Sequence, residues 1–193
     1  CLVIMAKEPL PGKVKTRLAS EIGSTTATWW FRHQLKKTIR TLSDRRWDII
    51  VSLSPDFFVK RSKFWPSKVK CIPQGSGDLG QKMRNIFKLF FNRPVCIIGG
   101  DIPGITRLEV SKSFKKLASR KFVIGPSEDG GFWLIGHQGK VPTKLFDRVR
   151  WSSPWAYLDT IETFEGRSFS SLSKLRDVDS LLDLEALKAK HHN

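Results

Sequence analysis

The chain has 193 residues, 40% of them hydrophobic, and carries 34 Lys and Arg against 18 Asp and Glu, a formal net charge of +16. This length suits one domain with a full hydrophobic core, and we expect residues 1–193 to form that single domain. No apolar run approaches the roughly 20 residues that cross a bilayer, and no signal peptide is recognisable, so we expect a cytoplasmic protein without a membrane span.

Cysteine and histidine content narrows the chemistry further. The three cysteines lack C-x-x-C spacing and the four histidines are scattered or lie in the polar tail, which argues against a disulfide framework or a zinc site. The positive charge attracts anions and leaves nucleic acid, anionic lipid or a small phosphorylated substrate as partners. Because the cations are spread along the chain, a solvated basic surface explains the charge equally well.

The first predicted element is a buried strand at residues 2–6, followed by a cationic loop. Residues 5–18 read MAKEPLPGKVKTRL and contain two prolines, one glycine and four cations, Lys7, Lys13, Lys15 and Arg17. A constrained backbone with cations spaced along it suits a loop that wraps a polyanion. We predict that this loop holds the phosphates of a nucleotide.

The next segments alternate between helical and strand patterns. Apolar residues recur at helical spacing from 27 to 42, after a cap at Ser24 or Thr25, and again from 79 to 90, after a cap at Asp78. A buried strand is predicted at 49–53 and a half-exposed strand at 68–72. These patterns predict two successive strand-and-helix units.

The second half of the chain continues in the same way. Residues 95–98 form the most strand-like run, with Asp101 just after it, and Thr106 caps a predicted helix at 108–117. Strands are predicted at 122–124 and 132–135, joined by an acidic turn, then a short helix at 154–164, a strand within 169–175 and a terminal helix at 180–190. The order predicts an α/β protein, a three-layer α/β/α sandwich around a mainly parallel central sheet.

Three polar features are expected at one edge of this sheet. Ligands of such folds bind beyond the carboxyl ends of the strands, where the cationic loop, Asp101 and Asp129 can all lie. Asp101 follows a buried strand and suits Mg²⁺ that also binds substrate phosphates, although it can equally cap its turn. The turn Glu128-Asp129-Gly130-Gly131 allows close approach by a ligand, or is an ordinary hairpin turn.

A glycine motif offers a competing interpretation. Residues 75–80, GSGDLG, match the dinucleotide-binding pattern G-x-G-x-x-G, and Asp101 follows about 20 residues later. The preceding strand is short and half polar, and Pro73-Gln74 separates it from the first glycine. A loop with a helix cap is therefore the preferred explanation, and a Rossmann protein the weaker alternative.

Four blocks in chain order carry a resemblance to a known family. They are MAKEPLPGKVKTRL at 5–18, GDLGQKM at 77–83, IIGGDIPGI at 97–105 and GPSEDGGFWLIG at 125–136. Together they resemble the radical-SAM/selenodomain-associated transferases of the GT-A glycosyltransferase superfamily. The tail LRDVDSLLDLEAL at 175–187 is similar to a closing element of nucleotidyltransferases, although helix capping also explains Asp177 and Asp179.

The resemblance implies a GT-A, or nucleotide-diphospho-sugar transferase, fold similar to the molybdenum-cofactor and phospholactate guanylyltransferases. It implies a nucleotide triphosphate or nucleotide-sugar donor, a small, anionic acceptor and Mg²⁺ or Mn²⁺ as cofactor. Asp101, Lys15 and Arg17 would be catalytic, Asp101 and Asp129 would contact the metal, and Asp129, Gly130 and Gly131 would face the acceptor. The implied nucleotide-binding residues are Ala6, Lys7, Gly12, Lys15, Arg17, Gln74, Gly80 and Gly100.

Two departures from the family pattern affect the acceptor side and the tail. Phe132-Trp133 stand where tyrosines are expected, and Ser180-Leu181-Leu182 replaces Thr-Pro-Glu, but no proposed phosphate or metal ligand is lost. Two functions are consistent with the sequence. One is a Mg²⁺-dependent transferase acting by nucleotidyl or glycosyl transfer; the other is a basic nucleic-acid-binding module without catalysis, suggested by the charge and the seven tryptophans.

Overall fold

A central sheet of seven strands organises the computed structural model, which describes residues 1–100 and 102–175. The strands are β1 (Leu2–Lys7), β2 (Ile49–Ser54), β3 (Lys70–Pro73), β4 (Val95–Gly99), β5 (Phe122–Pro126), β6 (Phe132–His137) and β7 (Phe169–Ser171). Their order across the sheet is β3-β2-β1-β4-β6-β5-β7. Strand β6 runs antiparallel to both β4 and β5, and the other pairings are parallel.

Helices cover both faces of this sheet. They are α1 (Thr16–Ile22), α2 (Ser24–Leu42), α3 (Leu79–Leu89), α4 (Arg107–Leu117) and α5 (Ala156–Glu162), with a 3₁₀ turn at Asp56–Val59. One core contains the buried stripes of α2 and α4, and the opposite core contains those of α3 and α5. This arrangement confirms the predicted three-layer α/β/α sandwich with a mainly parallel sheet.

The strand β1 shows why the sheet must lie between two helical layers. Its residues Leu2, Ile4 and Ala6 face the α2–α4 core, whereas Val3 faces the opposite core. All four are buried, so both faces of the strand are apolar. A central parallel strand of this kind is stable only when helices cover both sides.

Two predicted helix starts are confirmed by capping boxes. Asp78 accepts a hydrogen bond from the Gln81 amide at 2.7 Å, and Gln81 Oε1 accepts one from the Asp78 amide at 3.0 Å. Thr106 and Glu109 form the same reciprocal pair at the start of α4. Each box satisfies backbone donors that the first helical turn leaves without partners.

One helix was not predicted from the sequence. Helix α1 occupies part of the predicted cationic loop, and of its seven residues only Leu18 is buried. Its N-cap residue, Lys15, makes no side-chain cap hydrogen bond, so neither capping nor apolar periodicity indicated a helix. The predicted terminal helix at 180–190 lies outside the described residues, and no helix of residues 1–100 and 102–175 is long and apolar enough to cross a membrane.

Candidate functional site

A cavity opens at the point where the strand order reverses. Strands β2 and β3 lie on one side of β1, and β4 lies on the other. The carboxyl end of β1 contributes Met5, Ala6 and Lys7 to the cavity wall, and Gly100, just after β4, contributes from the neighbouring strand. Open α/β sheets bind ligands in this crevice, because the loops after the two strands diverge there.

The cavity is strongly cationic. Its volume is about 370 Å³, and it is lined by Met5, Ala6, Lys7, Lys13, Val14, Lys15, Thr16, Arg17, Phe31, Gln74, Leu79 and Gly100. Four of these side chains are Lys or Arg, and no carboxylate from residues 1–100 or 102–175 lines the wall. A concave site with one sign of charge concentrates ligands of the opposite sign, here anions.

Backbone turns hold the cationic loop in a fixed shape. The Leu10 amide donates to the Glu8 carbonyl at 2.8 Å, and the Lys13 amide donates to the Leu10 carbonyl at 3.1 Å. Gly12 adopts φ 71°, in the left-handed region that favours glycine. These turns bring Lys13 and Lys15 to the same cavity wall as Lys7.

Lys15 itself has an unusual backbone. Its φ of 47° and ψ of 49° are left-handed, a conformation that side chains with a Cβ adopt at a cost. Non-glycine residues held in this way cluster at ligand sites, where the surrounding structure fixes them. The strain at Lys15 thus coincides with its position in the wall of the cavity.

Gln74 lines the cavity and is held in place by hydrogen bonds to two strands. Its side chain is 8% exposed, and Nε2 donates to the carbonyl oxygens of Ala6 at 3.2 Å and of Ser52 at 2.9 Å. Both amide hydrogens are therefore used, so Oε1 is the polar atom of this side chain that could accept a hydrogen bond from a ligand. An acceptor in this position suits a hydroxyl or N–H group, such as a ribose or base provides.

Two predicted site residues, Gly100 and Asp101, follow β4, and only the first lies within the described residues. Gly100 lines the wall, and its amide donates to the Met5 carbonyl at 3.1 Å. Asp101, the predicted metal ligand and catalytic residue, lies outside the described residues, as do Asp177 and Asp179. The adjacent Gly100 is thus the described residue that marks the end of β4 in the site.

Asp129 lies at the same edge of the sheet, but farther along it. Strand β5 runs in the direction of β4, so the turn after β5 belongs to the same edge. Two strand spacings, roughly 10 Å, separate β5 from β4. Asp129 Oδ1 accepts hydrogen bonds from Ser127 Oγ and from the Gly131 amide, which closes the turn locally.

The two glycines beside Asp129 also have packing roles. Gly130 adopts φ 85°, and a Cβ there would lie 2.2 Å from the Pro154 carbonyl oxygen. A Cβ at Gly131 would lie 3.2 Å from Asp129 Oδ1. Asp129, Gly130 and Gly131 therefore form a hairpin turn outside the cavity wall.

Two predicted nucleotide-binding glycines lie away from the wall. Gly12 belongs to the loop but its position opens to space, since among the described residues no atom other than those of Gly12 and its two chain neighbours lies within 4 Å of where a Cβ would stand. Gly80 packs against Phe146 and Trp151, which would lie 2.6 Å and 2.8 Å from a Cβ. Close packing of α3 against Phe146 and Trp151, rather than contact with this cavity, explains Gly80.

The Rossmann alternative does not fit the topology. The turn GSGDLG follows β3, which is the edge strand, and not a strand at the crevice. Asp78 within it serves as the cap of α3. The antiparallel strand β6 next to β4 also departs from the parallel sheet of a dinucleotide-binding fold.

Several cavity residues carried no sequence signal. Val14, Thr16, Phe31 and Leu79 line the wall beside the predicted residues. Phe31 belongs to the buried stripe of α2, so its periodicity indicated only the core. Lys13 was recognisable in the sequence as a cation of the loop, and that charge could have added it to the predicted nucleotide-binding residues.

The described residues form no metal cage of their own. Among residues 1–100 and 102–175, no three His, Cys, Asp or Glu side chains are grouped where they could hold a metal ion. Mg²⁺ bound to a nucleotide needs no such group, because one or two carboxylates and the phosphates supply its oxygen ligands. A cationic cavity beside the end of β4 is compatible with that donor set.

Comparison with solved structures supports the fold assignment. The "putative nucleotide-diphospho-sugar transferase" of Desulfovibrio desulfuricans G20 superposes with a TM-score of 0.92 and 28% identity, covering 100% of this chain and 87% of that chain. The 4-diphosphocytidyl-2C-methyl-D-erythritol synthase of Anaerococcus prevotii DSM 20548 matches with a TM-score of 0.61, 11% identity and coverage of 100% and 97%. Rv0371c of Mycobacterium tuberculosis H37Rv, in its manganese complex, matches with a TM-score of 0.55, 13% identity and coverage of 96% and 95%.

These likenesses show that the sheet and its helices form a nucleotide-diphospho-sugar transferase, or GT-A-like, fold. No curated protein sequence matches the chain. Residues 38–153, more than half of the sequence, match a family model described as an uncharacterized protein conserved in bacteria. The chain therefore belongs to the DUF2064 family.

Proposed function

We propose that the protein is a transferase that binds the phosphates of a nucleotide donor in the cationic cavity. The observation that carries this proposal is the convergence of Lys7, Lys13, Lys15 and Arg17 at the crevice between β1 and β4. The fold shared with the Desulfovibrio protein supports the same class of activity. We treat residues 1–193 as one cytoplasmic transferase domain, and the narrower resemblance to radical-SAM/selenodomain-associated transferases is part of this proposal.

Two forms of transfer fit the cavity. In nucleotidyl transfer, an acceptor oxygen attacks the α-phosphorus of a nucleotide triphosphate, and pyrophosphate leaves with the bonding electron pair. In glycosyl transfer, the acceptor oxygen attacks the anomeric carbon of a nucleotide sugar, and the nucleoside diphosphate leaves. In both cases negative charge increases on phosphate oxygens, where Lys15 and Arg17 would stabilise it. Neither form requires a covalent intermediate with the protein.

The donor's ribose or base would lie near Gln74. Because its amide hydrogens are bound to Ala6 and Ser52, the acceptor Oε1 selects a ligand group that donates a hydrogen bond. The hydrogen bonds to these two carbonyl oxygens also fix the side chain in one position. Gln74 would therefore orient the nucleoside while the lysines hold its phosphates.

Asp101 is the proposed contact for Mg²⁺ or Mn²⁺, and Asp129 is the proposed second contact, on the acceptor side together with Gly130 and Gly131. A divalent cation bound there would neutralise phosphate charge and so favour the leaving group. The manganese complex of Rv0371c, which shares the fold, supports this choice of cofactor. A small, anionic acceptor would enter from the side of the hairpin turn.

Calorimetric titration with nucleotides and nucleotide sugars, with and without Mg²⁺, tests the proposal. The wild-type protein is expected to bind at least one donor, and Arg17→Ala is expected to weaken that binding about tenfold or more, the usual value of a hydrogen bond to a charged group. Asp101→Ala is expected to remove the dependence on Mg²⁺. Lys112→Ala, an exposed change on α4, serves as the control for surface charge. Failure of every donor to bind would contradict the proposal.

A further inference from the structure

The outer face of α2 forms a second cationic surface. Helix α2 contains no Asp or Glu, and its exposed residues include Arg32, His33, Lys36, Lys37 and Arg40. The positions 29, 33, 36 and 40 lie on one side of the helix, over a length of about 16 Å. Like charges four residues apart, as in Arg32–Lys36 and Lys36–Arg40, repel each other within the folded chain. A polyanion lying along the helix would relieve this repulsion.

Aromatic rings are interleaved with these cations. Trp29 is 61% exposed, and its ring lies against that of His33 with a distance of 4.0 Å between centroids and a tilt of 37° between planes. The Arg32 guanidinium and the Lys36 ammonium lie 5.0 Å and 5.3 Å from the centroid of the Phe64 ring. The cation–π contacts hold the two cations against Phe64, in the segment before β3.

A concavity runs through the middle of this surface. Its volume is about 410 Å³, and it is lined by Pro11, Thr25, Thr28, Trp29, Arg32, His33 and Lys36. This volume lies within the range of small-molecule sites, roughly 300–1,000 Å³, and can accept a flat ring. Pro11 belongs to the same loop as Lys13 and Lys15 of the donor cavity, so one loop contributes residues to both cavities.

We propose that this face, defined by Trp29, Arg32, His33, Lys36, Lys37 and Arg40, binds single-stranded nucleic acid. Unpaired bases would stack on Trp29, and the cations would contact the phosphates on either side. Stacking platforms combined with a cationic track are how proteins hold single strands without reading their sequence. The Trp29 indole, which is exposed and lies outside the core, would stack on a base in this arrangement.

An anionic membrane fits the same face less well. A helix that lies in a membrane interface inserts an apolar face below the headgroups. The apolar face of α2 is buried in the protein core through Ala27, Phe31, Leu35, Ile39 and Leu42. The residues of α2 that remain exposed are three hydroxyl residues at its start, the cations with His33, and the Trp29 indole, a composition that favours an extended polyanion with exposed rings.

Fluorescence anisotropy of a labelled oligothymidylate, measured with the full chain in EDTA, tests the proposal. The wild-type protein is expected to bind, with an affinity that falls steeply as salt increases. Trp29→Ala is expected to weaken binding about tenfold, and Trp29→Phe to restore most of it, since one base stacks on the ring. The position is exposed, and the melting temperature of each variant checks that it folds.

Two double charge-reversal variants distinguish binding at this face from attraction by the net positive charge of the whole protein. Lys36→Glu with Lys37→Glu is expected to reduce affinity and the salt dependence far more than Lys88→Glu with Lys144→Glu, which changes the net charge equally on the other helical layer. Equal losses in the two double variants would overturn the proposal. So would absence of oligonucleotide binding, tighter binding of a duplex than of the single strand, or binding of phosphatidylserine vesicles that the oligonucleotide does not compete with.

Discussion

The carboxylate of Glu8 accepts a hydrogen bond from the indole nitrogen of Trp65 at 3.1 Å, across 57 residues of sequence. Ser62 Oγ donates to the other carboxylate oxygen at 2.7 Å. Glu8 is 7% exposed, so these partners replace the water that the carboxylate would otherwise bind. They attach the first residue of the cationic loop after β1 to the segment that follows the 3₁₀ turn.

Loss of this attachment is expected to affect both stability and donor binding. Glu8→Ala leaves the Trp65 indole and the Ser62 hydroxyl without their acceptor, at a cost of about 1–3 kcal/mol. For a domain of this length that corresponds to a decrease in melting temperature of roughly 2–12 °C. Because Lys13 and Lys15 follow in the same loop, donor affinity measured by calorimetry is expected to fall as well.

Glu8→Gln provides the matched control. Its amide oxygen can accept from Trp65, and its amide group can donate to the rotatable Ser62 hydroxyl, so both contacts survive. We expect a smaller loss of stability and of donor affinity than in Glu8→Ala. An alanine variant that melts like the wild-type protein and binds the donor normally would show that the attachment does not hold the loop.

Gln74 offers a test of donor selectivity. Gln74→Met keeps the side-chain volume but removes the hydrogen bonds to Ala6 and Ser52 and the acceptor Oε1. Donor affinity is expected to fall, and the spread of affinities across the four ribonucleotide triphosphates is expected to narrow, because a buried acceptor discriminates between ligands that can and cannot donate to it. Titration of both proteins with the four nucleotides measures this. An unchanged order and spread would exclude Gln74 from nucleoside recognition.

The sequence predicted the layers of this fold because buried positions of a helix or strand are occupied by apolar residues at a regular spacing. The helix from 79 was indicated by its apolar stripe and by Asp78, and both signals were local. Strand β4 was indicated by four consecutive apolar residues at 95–98. The cationic loop was recognisable because its prolines, glycine and lysines are contiguous in sequence.

What the sequence could not predict depends on distant contacts. The antiparallel direction of β6 is fixed by its pairing with β4, and a strand pattern does not encode its partner. Segments far apart in the chain are joined by the hydrogen bond between Glu8 and Trp65 and by those from Gln74 to two carbonyl oxygens. Helix α1 begins at Thr16, directly after the strained Lys15, whose side chain makes no cap hydrogen bond, and this local pattern does not indicate a helix.

His137 is expected to make stability depend on pH. The ring is 3% exposed, Nδ1 donates to the Lys121 carbonyl at 3.0 Å, and the ring stacks on Phe122 at 4.4 Å between centroids. Burial lowers the pKa of His137 below its usual 6.5, and the nearby Lys121 charge acts in the same direction. The folded protein thus keeps the imidazole neutral at pH values where the unfolded chain binds a proton.

The sign follows from that difference in proton binding. Between pH 7 and 5 the unfolded state takes up more protons than the folded state, so stability is present above about pH 6.5 and is lost as pH falls. His137→Phe is expected to flatten the decrease in melting temperature over this range. The Asp159 carboxyl, whose pKa the Arg150 guanidinium lowers to about 2, titrates below this window. An equal slope in wild type and His137→Phe would assign the effect to other groups.

Lys15→Gly separates the stability of the loop from its chemistry. The left-handed backbone at Lys15, φ 47°, costs a residue with a Cβ about 1–2 kcal/mol, and glycine removes that cost. Glycine also loses more backbone entropy on folding, roughly 0.5–1 kcal/mol, so the melting temperature is expected to stay equal or rise slightly. Donor affinity is nevertheless expected to fall about tenfold or more, because one of the four cations of the cavity is gone.

Lys15→Ala is the matched comparison for this change. It removes the same ammonium group but keeps a Cβ in the left-handed backbone, so its melting temperature is expected to lie below that of Lys15→Gly. The two variants should bind the donor equally weakly if the charge of Lys15 acts on the phosphates. Donor binding that is retained in Lys15→Gly but lost in Lys15→Ala would instead assign the role of this position to the shape of the loop.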